Sequence, residues 1–222
     1  MTYTAPVSDI AFTLNEIAGL RQALEDGVYG DLSADLVSAV LEEAGKFATT
    51  EIAPLNRDGD LQGAQLNDGA VTMPDGWKSV YQQWAESGWG AVAADEAYGG
   101  QELPVSLAIA VQDMWNSASM AFGIGTVLTH GATEAIAAHG SEELRNKYLP
   151  RMVSGEWTGT MNLTEPHSGS DLGVMRSKAV PQKDGTYLIS GTKIFITYGE
   201  HDLTDNIIHL VLARLPDAPK GT

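Results

Sequence analysis

No cysteine occurs in the 222 residues, which excludes disulfides, thiolate-ligated zinc and thiol catalysis, and fits a reducing compartment. Positive charge is scarce as well: 13 Lys and Arg stand against 29 Asp and Glu, a net charge of −16. Such a surface repels phosphate backbones and anionic headgroups, so neither nucleic-acid binding nor attachment to a membrane surface is expected. No apolar run approaches the roughly 18 residues that a bilayer span needs. The opening MTYTAPVSDIAFTL lacks a positive n-region and carries Asp9 where a secretory segment would be apolar. A soluble, cytoplasmic protein is the expectation. Internal repeats and low-complexity tracts are absent too. What the chain does have is 43% hydrophobic residues, enough for a buried core.

The first two thirds read as helix. Ser33 can cap a helix in which Leu36, Val40, Ala44, Phe47 and Ile52 recur on one face, and Pro54 ends or kinks it. NRDGDLQGAQLNDG follows as a loop. A second helix opens at Pro74 and Asp75, sets Trp77, Val80, Tyr81 and Trp84 on one side and stops at Gly88. After the Gly-Gly turn of AYGGQELP, Pro104 starts a third, and an Ala- and Gly-rich fourth runs to about His139. Ser141 caps a fifth, which ends before Gly155.

The period then changes. In WTGTMNL, Trp157, Gly159, Met161 and Leu163 alternate with Thr158, Thr160 and Asn162, as in a half-buried strand. Asp184-Gly185 reads as a hairpin turn between KAVPQ and TYLIS, and KIFIT and IIHLVLARL read as two further strands. The expected class is α+β, with an all-α domain over residues 1–156, including an extension at 1–30, and a β domain over 157–222. The boundary falls near Ser154 to Glu156.

Several chemical patterns fail on spacing. NRDGD resembles the start of a calcium loop, but its sixth position is Leu61 and its twelfth Asn67, where Gly and Glu are required, so an ordinary acidic loop explains it better. His167, Ser168, Ser170 and Asp171 are too close in sequence to align as a hydrolytic triad, and no nucleophile elbow is present. Gly123-Ile-Gly125 follows no strand and reads as close packing, while His130 and His139 have no acid at metal-ligand spacing. No metal site is expected. One stretch, LTEPHSGSD, supports two readings: an exposed turn shaped by Pro166, Gly169 and Asp171, or a nest whose amides at Gly169 and Ser170 meet an anion while Thr164 offers a hydroxyl to a polar heterocycle.

LTEPHSGSD, preceded by HGSEELRNKYLPRMVSGEW and followed by GTKIFIT, resembles the acyl-CoA dehydrogenase family of flavoproteins, and EAYGGQELP resembles that family's Tyr-Gly-Gly turn. The opening YTAPVSDIAFTLNEI is similar to the extension of the larger-subunit branch. The resemblance implies an FAD-dependent enzyme that forms α,β double bonds in acyl-CoA thioesters and passes electrons to an electron-transfer flavoprotein or similar acceptor. It implies a β domain that is antiparallel and barrel-like but incomplete here. Met161, Leu163 and Thr164 would line the isoalloxazine edge, with Thr164 hydrogen-bonded to it. Gly169 and Ser170 would meet the pyrophosphate, Ser170 also nearing the thioester substrate. Phe195 and Ile196 would pack at the ring and Thr197 would bond near its reactive nitrogen. Glu165 and Asp171 are expected to hold the turn.

Two substitutions depart from the family pattern. Met161 replaces a frequent Tyr and Phe195 a frequent Trp, so an indole donor is lost. The family's catalytic Glu and its tetramer contacts lie in a carboxy-terminal helical domain beyond this chain. The resemblance therefore assigns no catalytic residue here, predicts that the chain alone does not turn over, and implies a homo-oligomer for full-length members. Acyl-CoA oxidases, flavin monooxygenases and a non-catalytic binding or assembly module of the same fold are the alternatives.

Overall fold

A computed structural model describes residues 3–219 and 221. Its helices are α1 (Val7–Phe12), α2 (Leu20–Glu25), α3 (Ala34–Phe47) and α4 (Ala53–Gln62). After the small hairpin β1 (Gln65–Asn67) and β2 (Ala70–Thr72) come α5 (Trp77–Glu86), α6 (Val105–Ala118), α7 (Met120–His139) and α8 (Glu142–Val153). The strands β3 (Thr158–Asn162), β4 (Lys178–Pro181), β5 (Tyr187–Ser190) and β6 (Ile207–Val211) follow.

Serine hydroxyls start three of the helices. Ser33 accepts from the Leu36 amide at 3.2 Å, Ser119 from Phe122 at 3.4 Å and Ser141 from Leu144 at 3.3 Å, satisfying amides that a helix start leaves open. Ser119 alone separates α6 from α7, so the two pack as antiparallel neighbours. The core they build with α3 and α5 is closed over Leu41, Ile52, Leu107, Met114 and Trp115. In α3 the buried stripe is Val37, Leu41 and Ala44 and continues through Ala48 and Ile52: Ala44 and Ile52 are buried as expected, Val37, Leu41 and Ala48 stand one position on from Leu36, Val40 and Phe47, and Leu36 is left in solvent. The amino-terminal segment lies on this core through Tyr3, Ala5 and Val7, with the Ala5 amide donating to Thr49 Oγ1 at 3.2 Å.

Pro54 does not end the helical run. A π-helical turn over Ala48–Ile52 leads into α4, where Pro54 sits in the first turn and its missing amide costs nothing. Residues 56–62, expected as loop, are therefore helical, which also removes the calcium-loop geometry. No group of three or more metal-ligating side chains forms among the described residues.

The α+β class holds, with two corrections in the β region. β4 and β5 pair antiparallel across Asp184-Gly185 as expected, but β3 and β6 pair parallel, Thr158 opposite Ile207 through Asn162 opposite Val211. Among the described residues these are separate two-stranded sheets and no barrel closes. KIFIT is not a strand: the backbone from Lys193 to Tyr198 is irregular, because Phe195 (φ 57°) and Tyr198 (φ 55°) are left-handed. β3 lies against α7, where a Cβ on Gly159 would come within 2.6 Å of the Ala132 methyl and 2.8 Å of Met152 Cε. Only glycine lets strand and helix approach that closely.

Candidate functional site

The site grows from the exit of β3. Through Thr160 the strand is covered on both sides: Gly159 N donates to Thr129 Oγ1 of α7 at 3.1 Å, Thr158 Oγ1 meets His201 Nε2 at 3.0 Å, and Thr160 Oγ1 donates to the Thr197 carbonyl at 2.7 Å. Its threonines thus face protein, and the strand opens to solvent only from Met161 onward. This corrects the simple half-buried alternation, because the segment 197–204 covers the side that the pattern assigned to water.

Beyond Leu163 the chain closes a tight turn in which Glu165 N donates to Ser168 O and Ser168 N to Glu165 O, at 2.9 and 3.0 Å. Both acids of the stretch hold this turn, as expected. Asp171 Oδ1 accepts from Gly173 N at 2.8 Å, and its carbonyl accepts from Ser168 Oγ at 2.7 Å. Glu165 is buried and accepts from the Arg176 and Ser177 amides at 2.7 and 2.9 Å and from Lys193 Nζ at 3.0 Å. Burial by itself would raise its carboxyl, but hydrogen bonding from Ser177, Arg176 and Lys193 outweighs burial and holds it down to about 2. Lys193 Nζ donates also to the Leu163 carbonyl at 2.8 Å, and Ile194 N to the Thr164 carbonyl at 2.9 Å. These bonds lay the segment from Lys193 beside Leu163 and Thr164.

What stays unpaired is the other half of the geometry. Among the described residues, the hydroxyls of Thr164, Ser170 and Thr197 and the amides of Gly169 and Ser170 make no hydrogen bond within the protein. The Phe195 ring is 88% exposed, and Met161 is partly so. Thr164, Phe195, Ile196 and Thr197 are brought together by the bonds just described, and Gly169 and Ser170 lie on the exposed side of the turn that follows Thr164. The hydrolytic grouping does not form: Ser168 is committed to Asp171 O, and His167 Nε2 lies 3.2 Å from Val174 O and 3.4 Å from Glu165.

Tyr198 belongs to this site although the sequence reading passed over it. Its hydroxyl donates to the Ala121 carbonyl of α7 at 2.5 Å, and its ring lies over Gly125, where a Cβ would come within 2.6 Å. Burial pushes its phenol well above the usual tyrosine range, so it stays a neutral donor. The available signal was Gly125 itself. Gly123 packs helix to helix against Asn116 of α6, as expected, but Gly125 makes room for an aromatic from the β region.

A family model described as acyl-CoA dehydrogenase, N-terminal domain, matches residues 36–156, and one described as acyl-CoA dehydrogenase, middle domain, matches residues 160–221. The chain belongs to the acyl-CoA dehydrogenase family. It is 48% identical over 221 residues to 3-methylmercaptopropionyl-CoA dehydrogenase of Ruegeria pomeroyi, covering 100% of this chain and 38% of that relative. The chain thus spans well under half the length of this curated acyl-CoA dehydrogenase. Among solved structures, butyryl-CoA dehydrogenase from Megasphaera elsdenii aligns with a TM-score of 0.71 at 26% identity, covering 86% of this chain and 46% of that one. An acyl-CoA dehydrogenase from Bacillus anthracis, complexed with FAD, aligns at 0.65 with 25% identity, covering 84% and 30%.

Proposed function

We propose that this chain forms one wall of an FAD site in an enzyme that oxidises acyl-CoA thioesters to trans-2-enoyl-CoA, with helical residues 1–156 and β residues 157–222 as its two domains. The carrying observation is the set of unpaired groups at Thr164, Gly169, Ser170 and Thr197 beside an exposed Phe195 ring. Their chemistry suits the cofactor. Hydroxyls and amides pair with the carbonyl and nitrogen edge of a flavin and with a pyrophosphate, and the two acids that would repel it are already committed to the turn.

When bound, FAD supplies the two-electron acceptor for a hydride leaving the β-carbon. The protein's part is orientation. Met161, Leu163 and Thr164 would line the pyrimidine edge, Gly169 and Ser170 would hold the phosphates, with Ser170 also nearing the thioester, Phe195 and Ile196 would pack at the ring, and Thr197 would donate near the reacting nitrogen. Donors placed there stabilise charge that develops on the ring. Helix α7, with exposed Met120, Ile124 and Val127, stands as the wall for the acyl chain. The acids of the turn, Glu165 and Asp171, are both engaged within it, so the group that removes the α-proton comes from outside the turn. The electron acceptor is an electron-transfer flavoprotein or a similar carrier, and the complete enzyme is a homo-oligomer.

The test is colour. The purified chain mixed with FAD and desalted should retain a flavin spectrum, and Thr164→Ala with Thr197→Ala should weaken binding by about tenfold or more, as expected for losing two ligand hydrogen bonds. A colourless chain with no measurable affinity for FAD would instead favour a binding or assembly module. Acyl-CoA plus an electron acceptor should give no turnover with the chain alone.

A further inference from the structure

Lys193 and Glu165 form an ion pair whose side chains are only 9% and 3% exposed, in a protein whose other ion pairs between described residues lie at the surface or involve His167. A buried pair is poor evidence for stability, since desolvating two charges offsets their attraction. Its reason for being there is better sought in what it connects. Glu165 is bonded to the Arg176 and Ser177 amides and so is fixed to the chain after the turn. Lys193 reaches across to Glu165 and, with the same ammonium, to the Leu163 carbonyl at 2.8 Å. The next residue, Ile194, donates to Thr164 O. Immediately after it comes a left-handed Phe195, and then Thr197, whose carbonyl is tied to Thr160.

We propose that the Lys193–Glu165 pair is a positioning clamp that sets the spacing between the two cofactor-facing segments, Leu163–Thr164 and Phe195–Thr197, before any ligand arrives. The inference rests on the FAD reading for its purpose, though the clamp itself is a property of the free protein. Neither side chain meets the ligand. Both act through the backbone that carries Thr164 and Thr197. The left-handed residues show why a clamp is needed: non-glycine backbone in that region relaxes unless its surroundings over-determine it. Lysine suits the task because one ammonium offers three donors without a fixed plane, and here they reach a carboxylate, a carbonyl and the Met175 sulfur at 3.5 Å.

The experiment compares the unmodified chain with Lys193→Arg and with the double variant Glu165→Gln/Lys193→Met, which removes both charges together and leaves neither one buried alone. Two readouts are taken: backbone hydrogen exchange, peptide by peptide, and the affinity and visible spectrum of added FAD. In the double variant, exchange across residues 190–199 should quicken about tenfold or more while peptides from α3 and α6 keep their protection. FAD affinity should fall about tenfold, with loss of the resolved shoulders of a rigidly held flavin. Lys193→Arg, which keeps the charge but fixes its donors in a plane, should quicken exchange across residues 190–199 less than the double variant does. Unchanged exchange at 190–199, or an equal loss everywhere in the chain, overturns the clamp. If the unmodified chain binds no FAD, the cofactor reading fails, and the local exchange result still decides the clamp.

Discussion

Phe195 is the least economical residue in the molecule: a large apolar ring, 88% exposed, on a backbone with φ 57°. A left-handed non-glycine residue costs about 1–2 kcal/mol, and here no packing offsets it. Phe195→Gly should therefore raise the stability of the chain by about 1 kcal/mol in urea titration while weakening FAD binding. A loss of stability would show that the ring packs in solution. Glu165 behaves oppositely. Glu165→Gln strands Lys193 beside a neutral amide in a buried site and should cost about 3–5 kcal/mol. Because its folded carboxyl is held down to about 2 from an ordinary 4.5, the stability Glu165 contributes is complete above 4.5 and drains away as the pH falls toward 2. An acid titration of the unmodified chain should show that decline, and Glu165→Gln should flatten it.

At the scale of elements, the caps are the most direct test of how the sequence writes structure. Ser33→Ala and Ser141→Ala should each lower stability by about 1 kcal/mol, measured by the urea midpoint, since each removes the acceptor for an open amide. These helices were legible because caps and 3.6-residue periods are local. Ser33, Ser141, Gly88 and the Asp184-Gly185 turn carry their signal within a few residues, and the helices and hairpin stand where they placed them. Pro54 left two outcomes open, an end or a distortion, and the run goes on past it through a π-helical turn, a choice made by packing and not by the local sequence. KIFIT misled. Its β-branched and aromatic residues favour extended chain, yet Lys193 is drawn to Leu163 and Glu165, and contacts that far apart in sequence leave no local period. The turn at LTEPHSGSD was readable as a turn, and the holding roles of Glu165 and Asp171 followed from their Pro and Gly neighbours. Tyr198 left its only trace in Gly125, far off in the chain, because it packs against α7 and bonds to Ala121 there.

Across the whole molecule, one buried polar contact titrates, and it lies inside the β region. His201 is buried, with Leu203 N donating to Nδ1 at 3.2 Å, so Nε2 carries the proton toward Thr158 Oγ1. Burial pushes its pKa below the ordinary 6.5 and His209 adds to that, while Glu200 and Asp202 oppose it. The unfolded chain takes up a proton that the folded chain refuses. Stability should thus be complete above about 6.5 and decrease as the pH falls below it, a slope that His201→Gln should reduce in urea titrations between pH 8 and 5. The same strand that His201 steadies pairs in parallel with β6, across the turn, the hairpin and the irregular segment that lie between them in the chain. Such distant pairing is slow. During refolding, peptides from α3 and α6 should gain exchange protection while the amide of Ile208 is still exchanging, so the β region is assembled late, on a helical scaffold already standing.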